Sequence, residues 1–379
     1  MIRVLFLFVL LLGLVGCGGE TDNSEPPAEL VEFQPSVHLD EVWSRSIGDG
    51  VEQQFLKLYP LMLDERMIVA DRSGVVTALN LADGDSIWET DLDVVLTGGV
   101  GGDANNYIVT TRDGEVISLN AQGEVNWRQQ VSSEVLVPAV VVAGRVIIRG
   151  VDGQIKALSV DKGEQLWVYK RDVPDLSLRG NSRLLVYEGR LFAGLDSGRL
   201  VILSVDSGQV LFDVAVAVPS GRSELERMVD IDGDAVIDQA VLYMASYQGR
   251  IVATDVNRGQ LLWARNLSTA SGVEVARGVL FSSDANDHIW ALDRNNGATL
   301  WKQDKLKARK ITRPTAFDDY LVVGDFEGYL HVMSQYDGRF VARVRLDDAG
   351  ILVPPFVHGD RLYALSRDGE LAAYRLTNL

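Results

Sequence analysis

A single cysteine in 379 residues leaves no internal disulfide to be made. Histidine is scarce too: four are present, with no His or Cys cluster, so no zinc-type ligand set exists and hydrolytic zinc chemistry drops out with it. Basic residues are outnumbered, 36 Lys plus Arg against 53 Asp plus Glu, giving a net charge of −17. That field repels phosphate backbones, and no nucleic acid is expected as a partner. Nor is there a long apolar run: the most continuous, residues 4–12, falls well short of the roughly 20 residues that a membrane-spanning helix needs. What is present is ordinary core material, with 47% hydrophobic residues, which excludes disorder for most of the chain.

The apolar run follows Arg3 and leads into small residues and Cys17, the form of a secretory signal peptide over residues 1–16. Leu14-Val15-Gly16-Cys17 resembles a bacterial lipobox. That resemblance implies cleavage before Cys17 and acylation of its thiol and new amine. Several acyl chains, at about 0.8 kcal/mol per buried CH₂, would hold the protein on a membrane without spanning it. Gly18, rather than Asp, after the cysteine implies onward transport to the outer membrane, with the protein lipid-anchored at its periplasmic face. Residues 17–39 then read as the lipidated cysteine and a flexible linker, acidic and proline-containing, and residues 40–379 as the folded domain.

From Met67 onward one pattern recurs: an apolar strand, a turn usually ending in Gly, a second apolar strand, a second turn with Gly, then an aromatic four residues later. The first copy carries Gly74, Gly84 and Trp88; later copies end at Trp127, Trp167, Phe212, Trp263 and Trp301, and a seventh has Ala342 in the aromatic position. The first-turn positions are 74, 114, 153, 198, 249, 287, 328 and 369, all Gly except Asp287. Their mean spacing, about 42 residues, lies in the range of propeller blades. Period-two apolar alternation and Asp-Gly or Ser-Gly turns make each copy an antiparallel hairpin. Weaker apolar stretches between copies add a strand each. The fold class is therefore all-β, an eight-bladed β-propeller of four-stranded antiparallel blades. The eighth copy lacks its last strand, and Trp43 stands 45 residues before Trp88 with no hairpin of its own, so the N-terminal strand is expected to close the last blade.

The segment form A-L-x-x-x-x-G-x-x-x-W resembles the repeat of quinoprotein dehydrogenases, which implies the fold but not their chemistry, since the paired cysteines of their site have no counterpart here. A closer resemblance is to the BamB family of outer-membrane assembly lipoproteins, noncatalytic scaffold propellers of the β-barrel assembly machinery. It rests on Leu176-Ser177-Leu178-Arg179-Gly180, on Asp230-Ile231-Asp232 after Glu226-Arg227-Met228-Val229, and on GDFEGYL followed by DGRFVA between Gly324 and Ala342. Signal, lipobox, linker and repeats stand in the family order.

First-turn positions are 38 to 41 apart except for spacings of 45 and 51, after Gly153 and Gly198. Counting strands puts the extra residues after Trp167 and after Phe212, in connections between neighbouring blades on one face of the ring. Leu176 and Leu178 in the first of these polar loops suit exposed apolar anchors beside Arg179. The resemblance implies that Leu176, Leu178 and Arg179 match the family's contact motif for the BamA periplasmic domains, and Asp230 and Asp232 its acidic pair. It also implies unfolded outer-membrane proteins as clients, a propeller that is monomeric on its own, and no enzyme activity or cofactor. The alternative reading is a quinone- or calcium-binding periplasmic propeller. Asp230, Asp232, Asp234 and Asp238 have the spacing of a calcium loop, although Ala235 stands where that loop needs Gly.

Overall fold

The computed structural model of the chain describes residues 25–52, 54–174, 176, 178 and 182–379. The signal segment, Cys17 and Arg179 lie outside them. Eight four-stranded sheets form, each antiparallel, as the repeats require. In blade three, for example, Val140–Val142, Arg145–Arg149, Ile155–Ser159 and Gln165–Tyr169 follow one another from the inside outward. First strands of adjacent blades touch, which places them around the axis. The middle strands are buried on both faces, as in Val75–Asn80 and Arg199–Ser204, because each sheet is packed between two others. The fourth strands, such as Ser86–Asp91, alternate with solvent. The core accordingly lies between blades: Ile68, Val76 and Ala78 of blade one pack with Leu96, Tyr107, Val109 and Ile117 of blade two.

The recurring tryptophans work across those interfaces. In six of them, Trp Nε1 donates to a carbonyl of the following blade: Trp43 to Leu81, Trp88 to Ala121, Trp127 to Val160, Trp167 to Val205, Trp263 to Arg294 and Trp301 to Gln335, at 2.8–3.1 Å. The ring lies on the second-turn glycine of that same blade. A Cβ at Gly163 would come within 2.6 Å of the Trp127 ring, and one at Gly208 within 2.5 Å of Trp167. The spacing of Gly and Trp within a repeat thus encodes contacts between repeats. Asp287 adopts a positive φ of 62°, as Asp tolerates, and its carboxylate accepts from the Lys310 and Ile311 amides. In the Gly249 turn the positive φ falls on Gln248 instead.

Strand Val37–Ser46 pairs with Glu370–Asn378, from Val37 opposite Asn378 to Ser46 opposite Glu370, and is the outermost strand of blade eight. It begins three residues earlier than the domain start expected at residue 40, so the expected linker is shorter. Residues 25–36 also depart from the flexible linker expected there, because they lie against blade seven and the link leading into it. Ala342, in the position of the missing aromatic, has a structural reason: blade eight is built from both ends of the propeller chain and has no second turn on which a ring would rest.

Strand order fixes two faces. One, the connection face, carries every link from a fourth strand to the next blade, together with the turns between second and third strands. The opposite face carries the remaining turns.

Candidate functional site

The two long connections, 170–184 and 216–235, both leave fourth strands, Gln165–Tyr169 and Val210–Ala215, and so share the connection face on neighbouring blades. The second is shaped locally first. The Glu226 carboxylate accepts from the Arg222 and Ser223 amides and the Ser223 hydroxyl accepts from the Glu226 amide, closing the short turn Leu225–Arg227. Met228, Val229 and Ile231 then turn inward. Ile231 is fully buried with Phe192, Leu200 and Ile202, and Gly194 sits so close beneath it that an added Cβ would lie 2.2 Å from its side chain.

Asp230, next to that anchor, ties the two loops together. Its Oδ2 accepts the Leu178 amide, and its carbonyl accepts the Tyr247 amide at 2.9 Å. The structure thus brings Leu178, Asp230 and Asp232 into one neighbourhood. Leu176 and Leu178 are 43% and 39% exposed, so they do not tuck beneath the loop. The same face bears apolar residues that sequence reasoning missed: Val218 and Leu225 in the second loop, and Phe55, 79% exposed, in the connection into blade one. An aromatic in a polar stretch was the only signal for Phe55.

The acidic pair is held in an unfavourable setting. Burial, then the neighbouring Asp230 and Asp196 carboxylates, push Asp232 up to about 7. Burial and Asp196 push Asp230 up to about 6 against the Leu178 hydrogen bond. Among the described residues, Asp230 Oδ1 and Asp232 Oδ2 are buried without a hydrogen-bond partner. Opposing them is Arg149, which donates to the Gly194 carbonyl and to Asp196 at 2.6 Å. Raised values mean that the folded state binds protons which the unfolded state releases above the ordinary carboxylate range. Stability from Asp232 is therefore full below pH 3.8 and lost as pH rises through about 7. Asp232→Asn should stabilise the protein at pH 8, by on the order of 2 kcal/mol, and change little at pH 4. Urea titrations at the two pH values check this, and equal effects at both would refute it.

Asp234 behaves oppositely. Burial raises it, but Arg183 and Arg313 outweigh burial and hold it at about 2. Arg183 donates to it at 3.1 Å and lies 4.6 Å over the Tyr59 ring, while Lys57 adds a further positive charge beside it. Lys57 and Tyr59 belong to the connection into blade one, on the far side of the ring, so that connection reaches across the axis. Asp238 pairs with Arg294. The calcium-loop spacing is thereby divided among different partners, and among the described residues no His, Cys, Asp and Glu group is arranged to hold a metal ion. His331 is fully buried and bonded to Asp325, and His288 to Asp284, each within its own blade.

Comparison with known proteins bears on this geometry. The family described as outer membrane protein assembly factor BamB matches residues 72–303 and 298–378. The chain is 39% identical to the outer membrane protein assembly factor BamB of Pseudomonas aeruginosa, covering 98% of each chain. It is 34% identical to that of Bordetella pertussis, covering 96% of this chain and 95% of the relative. Among solved structures, BamB from Moraxella catarrhalis superposes with a TM-score of 0.82 at 28% identity, covering 89% of this chain and all 100% of that one. A quinohemoprotein alcohol dehydrogenase from Pseudomonas putida reaches a TM-score of 0.70 at 13% identity over 90% of this chain and 76% of its own, a likeness of fold alone.

Proposed function

Because this chain belongs to the family of the outer membrane protein assembly factor BamB, and is an assembly factor for outer membrane proteins, we propose that it works by docking without chemistry, through the surface made by its two long connections. The observation that carries this reading is the Leu178 amide bound to Asp230, which holds two exposed leucines beside a strained acidic pair. Leu176 and Leu178 lose water against the partner, Arg179 pairs with a carboxylate there, and Asp230 and Asp232 meet a basic group that relieves their mutual repulsion. The partner is the periplasmic part of BamA within the β-barrel assembly machinery, with unfolded outer-membrane proteins as clients of the whole. Acylated Cys17 holds the protein at the periplasmic face of the outer membrane and raises the local concentration of the two partners. Residues 1–16 are the signal and the propeller needs no cofactor.

Binding of the fragment from Glu20 to Leu379 to purified BamA periplasmic domains tests this, with Arg179→Glu run alongside and folding checked by circular dichroism. The folded Arg179→Glu protein should bind at least about 30-fold more weakly, the loss of one hot spot. If wild type and variant bind equally, this surface is wrong. If neither binds, so is the partner.

A further inference from the structure

The motif strings between Gly324 and Ala342 have no part in the docking surface, yet their side chains build a grip. Asp325 and His331 are fully buried and bonded to each other at 2.9 Å. Asp325 takes the Arg309 Nε–H at 2.7 Å, Glu327 takes a second arm of Arg309, and His331 Nδ1 faces Arg343 Nε at 3.1 Å. Both arginines are thus fixed by blade seven, and both use a remaining N–H on the same target. Arg309 donates to the Ala28 carbonyl at 2.9 Å and Arg343 to the Val31 carbonyl at 3.2 Å.

Segment 25–36 is held along its whole length. Glu25 pairs with Lys307, the Ala28 amide donates to the Lys307 carbonyl at 2.9 Å, and the Ser36 amide to that of Val341 at 3.0 Å. Phe33 stacks on Phe340 at 5.7 Å between ring centroids, under the Arg343 guanidinium. Direction follows from these partners. Lys307 and Arg309 lie in the link from blade six to blade seven, on the connection face, whereas Phe340 and Val341 begin the fourth strand of blade seven, at the opposite face. The chain therefore descends from Glu25 to Ser36 along the outer edge of blade seven, reverses, and rises again as Val37–Ser46.

We propose that residues 25–36 are a strap that brings the lipid-bearing end out on the connection face beside blades six and seven, so that the propeller hangs with its docking surface turned toward the bilayer. This rests on acylation of Cys17. From Cys17 to Glu25 the chain spans at most about 27 Å. Without the strap the tether would run to Val37, span up to about 68 Å and leave from the opposite face.

Acylation of the only native cysteine leaves one free thiol in a chain carrying Asp348→Cys, in the link between blades seven and eight on the connection face, or Tyr336→Cys, in a turn of blade seven on the opposite face. Both side chains are exposed. With a fluorophore at either site and the full acylated chain in phosphatidylcholine vesicles bearing an energy-transfer acceptor on the headgroup, the label at 348 should lose more emission than the label at 336. Adding Phe33→Asp and Ala28→Pro, which touch only the strap, should reverse that order. Equal transfer from both sites, or an order unchanged by the strap substitutions, overturns the proposal. Mass measurement of the membrane-extracted chain separates the two readings: an unmodified Cys17 removes the anchor itself, whereas an acylated chain with equal transfer removes the strap alone.

Discussion

Arg149→Leu should lower the stability of the propeller by about 3–5 kcal/mol, the range for removing one partner of a buried ion pair. Among the described residues Arg149 is the bulkiest fully enclosed side chain, 2% exposed, and it reaches from blade three into blade four. Leucine fills much of its volume but leaves the Gly194 carbonyl without its donor and Asp196 without its cation. The harm extends further, since Arg149 also offsets the charge of Asp230 and Asp232. With it gone, three carboxylates oppose one another at the junction of the two docking loops. The deficit should therefore be larger at pH 8, where Asp230 and Asp232 are charged, than at pH 5. Chemical denaturation at both values measures it, and a loss below about 1 kcal/mol would show that Asp196 finds water instead. Arg149→Lys should recover only part, because an ammonium does not present the planar fork that serves two acceptors at once.

Asp234→Asn should cost about 3 kcal/mol at pH 7, the lower end of that range because Arg183 is partly solvated. Without the carboxylate, Lys57, Arg183 and Arg313 face one another with less opposing charge. The sign with pH is opposite to that of Asp232. A carboxylate held at about 2 contributes stability that is present above pH 3.8 and lost as pH falls toward 2. The difference between variant and wild type should thus shrink from pH 7 to pH 3. A difference that does not change with pH would mean that Asp234 acts through packing and hydrogen-bond geometry, not through its charge.

The blades were legible because two independent signals coincided, period-two apolar runs and glycines returning at a fixed interval. Counting those intervals also placed the two long connections correctly on adjacent blades of one face. What counting does not reveal is what each repeat residue touches. The glycine four positions before each aromatic reads as a turn residue of its own hairpin, yet its lack of a side chain matters for the ring of the preceding blade. Arg149 reads as a stray charge at the end of an apolar strand, and Lys57 and Tyr59 as part of a featureless link, since their partners lie in other blades. The strap is the clearest failure. Residues 25–36 are acidic and proline-containing, the composition of a tether, and only Val31 and Phe33 hint at a buried side. The grip that holds them is written some 300 residues later. Among the acidic residues the spacing was visible and its meaning was not: Asp230 and Asp232 share one buried neighbourhood, whereas Asp234 turns to Arg183 and Asp238 to Arg294.

Pairing of Val37–Ser46 with Glu370–Asn378 also sets a timetable. A chain delivered from its N-terminus can assemble blades one to seven as they appear, each against its predecessor, but the first strand to arrive waits for almost the last. This longest-range pairing closes the ring only when synthesis is nearly complete, which makes it the step with the greatest loop entropy to overcome. Until then the waiting strand has both edges open. Its outward residues Asp40, Glu41 and Arg45 are charged, and charged side chains on an open strand disfavour pairing along its edge. A terminal strand that resists casual pairing stays available for its own late-arriving partner, Glu370–Asn378.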